Sequence, residues 1–256
     1  MARKSFLAFG CVHQPIADPG GVDWLIDEIA DRQPDVVVNT GDLIDTNCLS
    51  SFRGRSAPNL DEEFSATGEF LQRVADAAGQ AKLVWMMGNH EQRIFREEWS
   101  HLSGLLDYRR QITEAAAWKH FDYRYHPKAC YRMGQVTFGH GWTAGVASCK
   151  REAVYLGVPN GLYVHSHTHR PHPVHRISMG TTKLPYWHAN VGTFIDPEID
   201  YMATKDDSGW GMGLVSGWAN TKRVYGPSTD WDAETVIHRM YWDNEDTPNR
   251  AERKVC

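Results

Sequence analysis

In the first third of the chain, hydrophobic positions fall into short unbroken runs separated by stretches of helical spacing. Phe6 to Phe9 is an apolar run ended by Gly10. Asp35-Val36-Val37-Val38-Asn39 is a second, ended by Gly41, and Lys82 to Met87 is a third, ended by Gly88. Apolar runs without polar alternation are the pattern of strands covered on both faces. Between them, Val22, Leu25, Ile26 and Ile29 recur at helical spacing after a Pro-Gly-Gly break, as do Phe64, Phe70, Leu71, Val74, Ala77 and Ala78. The order β-α-β-α-β predicts an α/β sheet with helices on its faces.

The pattern then changes. Leu49 to Leu60 is rich in Ser, Arg, Gly and Pro and reads as a loop. Residues 91–120 read as mostly helical, a possible insertion beside the site. Beyond them, Tyr131–Gly139, Leu162–His165, Val174–Ile177, Lys183–Val191, Gly213–Ala219 and Thr235–Tyr241 read as strands, with one helical stretch near Ala147 to Leu156. A second sheet is expected. No internal repeat or linker divides the chain, so residues 1–256 are expected to form a single domain.

Composition narrows the function classes. At 41% hydrophobic and 23% charged, the chain has the balance of a globular domain with a sizeable core. A formal net charge of -5 argues against a protein that coats nucleic acid, though a nucleic-acid substrate is not excluded by it. The five cysteines, at 11, 48, 130, 149 and 256, are odd in number and lack CxxC spacing, so a reducing compartment is expected. No apolar stretch has the length of a signal peptide core or a membrane span, which places the expectation in the cytoplasm, with no membrane partner. Oligomeric state is not legible.

Candidate chemistry clusters where the strands end. Cys11 and His13 follow the first, Gly41-Asp42 the second and Gly88-Asn89-His90-Glu91 the third. His140-Gly141 and His165-Ser166-His167-Thr168-His169 follow two later strands. The carboxyl ends of strands in α/β sheets are where side chains from distant segments converge. Carboxylate, imidazole and amide donors together suit manganese, iron, zinc, cobalt or nickel. His167 and His169, two apart on an extended segment, point the same way. An Asp such as Asp42 can bridge two ions, and two ions about 4 Å apart can clamp a phosphoryl group. His90, beside Asn89, suits protonation of a leaving oxygen.

The order Cys11-x-His13, Gly41-Asp42, Gly88-Asn89-His90-Glu91, His140-Gly141 and His167-Thr168-His169 resembles the calcineurin-like metallophosphoesterase superfamily. That resemblance implies a four-layer α/β/β/α sandwich and two divalent metal ions, manganese first, with iron, zinc, cobalt or nickel as alternatives. It implies that His13 and His169 hold one ion together with position 11, that Asp42 bridges, and that Asn89, His140 and His167 hold the other. His90 would be the catalytic acid. The implied activity is phosphoester hydrolysis, a phosphodiester first and a phosphomonoester second, with a phosphoester as the substrate partner. Asn190-Val191-Gly192-Thr193 resembles the Asn-x-Gly-Ser turn of many members. The sequence departs from the family pattern in two places: Ser166 stands where Gly is usual, and Cys11 where the first Asp is usual. Cys11 is either a thiolate ligand for a softer metal or a small buried apolar residue; the second alternative leaves open a binding protein on a degenerate site.

Several residues have blander readings. Asp45 is expected to cap a helix, and Arg93 either contacts a substrate phosphate or lies on a solvated helix face. His165 is expected to be structural, His172 and His175 to lie at the surface, and His101, His120, His126, His188 and His238 carry no motif. Arg53 and Arg55 read as solvated loop charges, and Trp187, Trp210, Trp218 and Trp242 as packing residues.

Overall fold

The structure, a computed structural model, describes residues 3–50, 58–95, 121–124, 128–143, 145–177, 184–199 and 209–241. The predicted β-α-β-α-β start is present as β1 (Arg3–Phe9), α1 (Pro19–Arg32), β2 (Val36–Asn39), α2 (Leu60–Ala78) and β3 (Lys82–Met86). Helix α1 begins where Asp18 accepts a hydrogen bond from Gly21 N at 2.6 Å, with Pro19 supplying a fixed φ in the first turn. Helix α2 begins with a reciprocal capping box between Asn59 and Glu62.

Strand β3 leads into a one-turn helix, α3 (Asn89–Gln92), and a short 3-10 turn, Arg93–Phe95. Residues 96–120, the rest of the expected helical insertion, lie outside the described residues, as do His101, His120, His126, Arg53, Arg55 and Trp242. The remaining elements are β4 (Phe121–Arg124), β5 (Cys130–Met133), β6 (Val136–Gly139), α4 (Val146–Leu156), β7 (Leu162–His165), β8 (His172–Ile177), β9 (Tyr186–Asn190), β10 (Gly211–Asn220) and β11 (Trp231–Met240). The expected single strand Tyr131–Gly139 is thus a hairpin, β5 against β6, turning at Gly134 with φ +60°.

Two mixed sheets result. The first has order β11-β10-β1-β2-β3-β4, with β1 to β4 parallel and β10 and β11 antiparallel at one side. The second has order β5-β6-β7-β9-β8, with a parallel centre flanked by antiparallel strands. Alternation along β1 sends Leu7 and Phe9 toward α1 and α2, where they join Leu25, Ile29, Leu71 and Val74. It sends Phe6 and Ala8 the other way, into a core shared with Phe138, Leu162, Val164 and Ala189 of the second sheet. Helix α4 covers the outer face of that sheet, with Ala153 against Tyr163, Ile177 and Tyr186. The layers are α/β/β/α. Both faces of β1 and β2 are buried, which is why their sequences read as unbroken apolar runs. No helix among the described residues is long and apolar enough to cross a membrane.

Candidate metal centre

The parallel strands of both sheets end at the same edge, and their loops bring the predicted polar residues into one buried cluster. Cys11 N donates to Gly41 O at 2.8 Å and His13 N to Asp42 O at 3.0 Å, which locks the loop after β1 to the loop after β2. Cys11, His13, Asp42, His167 and His169 all adopt positive φ, between 51° and 64°. Left-handed backbone costs an L-residue about 1–2 kcal/mol. Its concentration at five candidate donors is the kind of strain that accumulates at functional sites.

Glu91 holds this arrangement from beneath. Its buried carboxylate accepts from the backbone N–H groups of Asp42 (3.1 Å), Leu43 (2.6 Å), Ile44 (3.3 Å) and Gly88 (2.8 Å). Gly88 has to be glycine for space: a Cβ there would lie 2.1 Å from Asp42 Oδ1.

Two groups of donors face each other across Asp42. His140 directs Nδ1 at Thr40 O (3.1 Å), so its Nε2 lone pair faces Asp42 Oδ2 (3.2 Å), Asn89 Oδ1 (3.0 Å) and His167 Nδ1 (3.2 Å). His13 directs Nδ1 at Asp45 Oδ1 (3.0 Å), so its Nε2 lone pair faces His169 Nε2 at 3.3 Å and Asp42 Oδ2 at 4.0 Å. Lone pairs crowded this closely in a buried space repel unless a cation stands among them. An imidazole whose other nitrogen donates to a carbonyl or carboxylate is the arrangement typical of a metal-ligating histidine. The donor atoms of Cys11, His13 and His169, and separately of Cys11, Asp42 and His140, lie within 4.8 Å of one another. The residues present therefore fit a pair of divalent cations.

The electrostatics agree with the donor geometry. Burial lowers His13, His167 and His169, His167 to about 4, which keeps these rings neutral and their lone pairs free. For His140, burial lowers the pKa, but the charge and hydrogen bond of Asp42, joined by the Glu91 charge and Thr40 O, together outweigh it, and the net shift is upward. Asp42 is held well below the usual carboxylate range: burial opposes its charge, but His140 and His90 outweigh it. Burial, followed by the Asp42 charge, raises the Cys11 thiol well above its ordinary value. Cys11 Sγ accepts from His167 N at 3.2 Å and its carbonyl from Thr193 Oγ1 at 2.9 Å, so the side chain is fixed between both donor groups.

His90 sits at the edge of the cluster, its ring 4.4 Å from that of His13. Its Nδ1 faces Asp45 O at 2.6 Å and Asp45 Oδ1 at 3.0 Å, while Nε2 lies 3.9 Å from Asp42 Oδ2. Arg93 donates from Nη1 to Asp45 O (2.9 Å) and from Nη2 to His90 Nε2 (3.1 Å). Arg93 thus stands beside His90 at the rim rather than on a solvated helix face. Burial lowers His90, but Asp42 and Asp45 outweigh burial, and its net shift is upward.

Asp45 corrects an expectation. It caps no helix; Thr46 takes the position before the short 3-10 turn Asn47–Leu49, and the buried Asp45 carboxylate orients His13 and His90 instead. Nothing in its local sequence distinguishes the two roles, because both partners lie more than thirty residues away. Asn190 is a further missed organiser: its amide donates to Ser166 O (2.8 Å) and Thr168 Oγ1 (3.0 Å) and so fixes the His167–His169 loop. Trp210, expected to pack, places its ring 4.2 Å from His169, edge to face. The expectation that His172 is a plain surface residue, and that His188 is bland, also fails: His188 is buried, and both stand beside His165.

Among solved structures, the chain is similar to YfcE, a phosphoesterase from E. coli, at 16% identity over 84% of this chain and 88% of that one, with a TM-score of 0.43. It is similar to Vacuolar Protein Sorting 29 from Cryptosporidium parvum at 12% identity over 92% and 98%, TM-score 0.44. A phosphatase from Mycoplasma pneumoniae aligns at 13% identity over 93% and 94%, TM-score 0.39. No curated protein matches. The model of the calcineurin-like phosphoesterase family matches residues 4–192, which spans every donor of the cluster, and this chain belongs to that family.

Proposed function

We propose that this protein hydrolyses phosphoesters, phosphodiesters before phosphomonoesters, at a centre holding two divalent cations. One observation carries the reading: the Nε2 atoms of His13 and His140, each ring with Nδ1 anchored, converge on the Asp42 carboxylate together with the Asn89 amide oxygen. Cys11, His13 and His169 would hold one ion, Asn89, His140 and His167 the other, and Asp42 both. Manganese heads the candidates, with iron, zinc, cobalt and nickel behind it; a Cys11 thiolate would favour a softer ion at the first position.

Such ions supply positive charge that polarises a phosphoryl group and acidifies water. The chain's own residues supply orientation and a proton. Asp45 fixes the His90 ring through Nδ1, leaving Nε2 directed into the site. In the structure that nitrogen accepts from Arg93 and is unprotonated. The Asp42 and Asp45 charges together outweigh burial and shift His90 toward its protonated form. Protonated His90 would then give its proton to the leaving alkoxide, and Arg93, freed from Nε2, would turn its planar fork to a substrate phosphate oxygen.

The test is hydrolysis of an aryl phosphodiester and an aryl phosphomonoester by purified protein supplied in turn with each of the five metals. His90→Ala should lower kcat by about 10²–10⁴-fold with bound metal unchanged. Metal-loaded protein that cleaves neither ester would instead identify a binding protein on a degenerate site, the reading that Cys11 favours.

A further inference from the structure

A second constellation of histidines lies on the outer face of the second sheet, away from the donors that converge on Asp42. His165 ends β7, His188 lies in the middle of β9, and His172 begins β8. In the pairing register, His165 and His172 each flank Asn190, two residues from His188 on the same face of β9. His175 pairs directly with His188. Residues 172 and 175, three apart, would face opposite sides of a regular strand. The register of β8 slips between them, and the bulge returns both to one face. One ring nitrogen from each of His165, His172 and His188 lies within 4.8 Å of the others.

The hydrogen bonds single out which nitrogens are available. His172 Nδ1 donates to Pro173 O at 2.9 Å, which leaves Nε2 with its lone pair. Asn190 Nδ2 lies closer to Ser166 O (2.8 Å) and Thr168 Oγ1 (3.0 Å) than to His165 Nδ1 (3.2 Å); with its two protons on those oxygens, His165 Nδ1 donates to Ser166 O at 3.3 Å and Nε2 keeps its lone pair. His165 Nε2 is buried and without a hydrogen-bond partner among the described residues, as are both ring nitrogens of His188. His165 is 1% exposed and His188 3%, so no water shell satisfies them from outside. Buried imidazole nitrogens left without partners call for an explanation, since burying a polar group unpaired is costly.

We propose that His165, His172 and His188 bind a zinc-class divalent cation, separate from the pair at Asp42. One ring nitrogen of each converges within 4.8 Å of the others, unpartnered buried nitrogens are present on His165 and His188, and the His165 and His172 rings each have Nδ1 beside a backbone carbonyl, as ligating histidines do. Around tetrahedral zinc, ligand nitrogens at 2.0–2.1 Å stand about 3.3 Å apart, a modest contraction of the present spacing. The exposed His175, its ring 6.2 Å from that of His188, or a water takes the fourth position. All ligands are neutral imidazoles, which favours zinc, nickel or copper over magnesium or calcium. The ion would tie β7 to β8 across β9 and brace the segment that continues from His165 into His167 and His169.

The test counts zinc in the full chain. Wild type, His172→Gln and His188→Gln are stripped with chelator, dialysed against zinc(II) alone and analysed for bound metal. Each variant should hold one equivalent fewer than the wild type. Because the readout is a difference, it holds whether the Asp42 cluster takes two ions, one or none, and it needs no catalytic activity. Equal zinc in all three proteins overturns the proposal. His172, at the partly exposed start of β8, keeps the comparison available if the buried His188→Gln variant does not fold.

Discussion

Glu63 shows how a single residue near the site leaves its mark on stability. It lies on the buried face of α2, where Oε1 accepts from Asn47 N at 2.9 Å and Oε2 has no hydrogen-bond partner among the described residues. Burial pushes its carboxyl up to about 7; the Asn47 N–H works against this and the Asp45 charge adds to it. An acid whose folded pKa exceeds its unfolded value near 4.5 stabilises the fold fully below that lower value, and the contribution is lost as pH rises through the upper one. Between pH 5 and 8 this group should therefore cost the protein on the order of 2–3 kcal/mol. Gln keeps the acceptor for Asn47 and does not titrate. Urea unfolding of chelator-treated Glu63→Gln should show that much less decline across the window than wild type, and superimposable pH profiles would refute the assignment. Asp45, a few residues from Glu63 in space, has the opposite character: His13 and His90 overcome burial and hold it ionised.

At the scale of elements, the site is made by loops that only become loops because strands stop in register. β1, β2 and β3 end side by side, and Gly88 lets the third loop approach the second. Its φ of -97° is ordinary, so Gly88→Ala introduces no backbone strain and acts through the added methyl alone. That methyl must displace the Asp42 carboxylate or its backbone. Bound metal should fall together with thermal stability, whereas Gly20→Ala in α1, whose Cβ would meet only Asp18 Oδ1 at 3.4 Å, should leave bound metal unchanged and thermal stability the same or higher. Equal metal content in the two variants would mean that the loop yields elsewhere. Apolar runs ended by Gly announced β1, β2 and β3, and polar residues just past them announced the donors. The hairpin at Gly134 was hidden inside one continuous strand-like stretch, Tyr131 to Gly139, because apolar alternation does not record a reversal of direction. Glu91 and Asn190 were invisible as organisers since each acts on backbone groups of other loops. The two faces of β8 could not be assigned without the bulge between His172 and His175.

At the scale of the molecule, the two sheets must stay packed face to face for loops from both to meet. Phe138 of β6 is fully buried between them and stands edge to face on Phe6 of β1, with ring centroids 5.1 Å apart. Truncating it opens a void at the seam that joins the halves of the donor set. Phe138→Ala should destabilise the fold by about 3–5 kcal/mol. Because His140 follows the last residue of β6, two positions after Phe138, bound metal should weaken in parallel, as isothermal titration would register. A loss under 1 kcal/mol would show that the sheets are held together elsewhere.

The left-handed backbone at position 11 bears on how this protein relates to its own family. Asp and Asn enter that conformation more readily than other non-glycine residues. A backbone at φ 51° admits an aspartate as readily as a cysteine, while valine, threonine or isoleucine would be strained there. The backbone therefore sets no barrier between cysteine and the family's usual aspartate at this position.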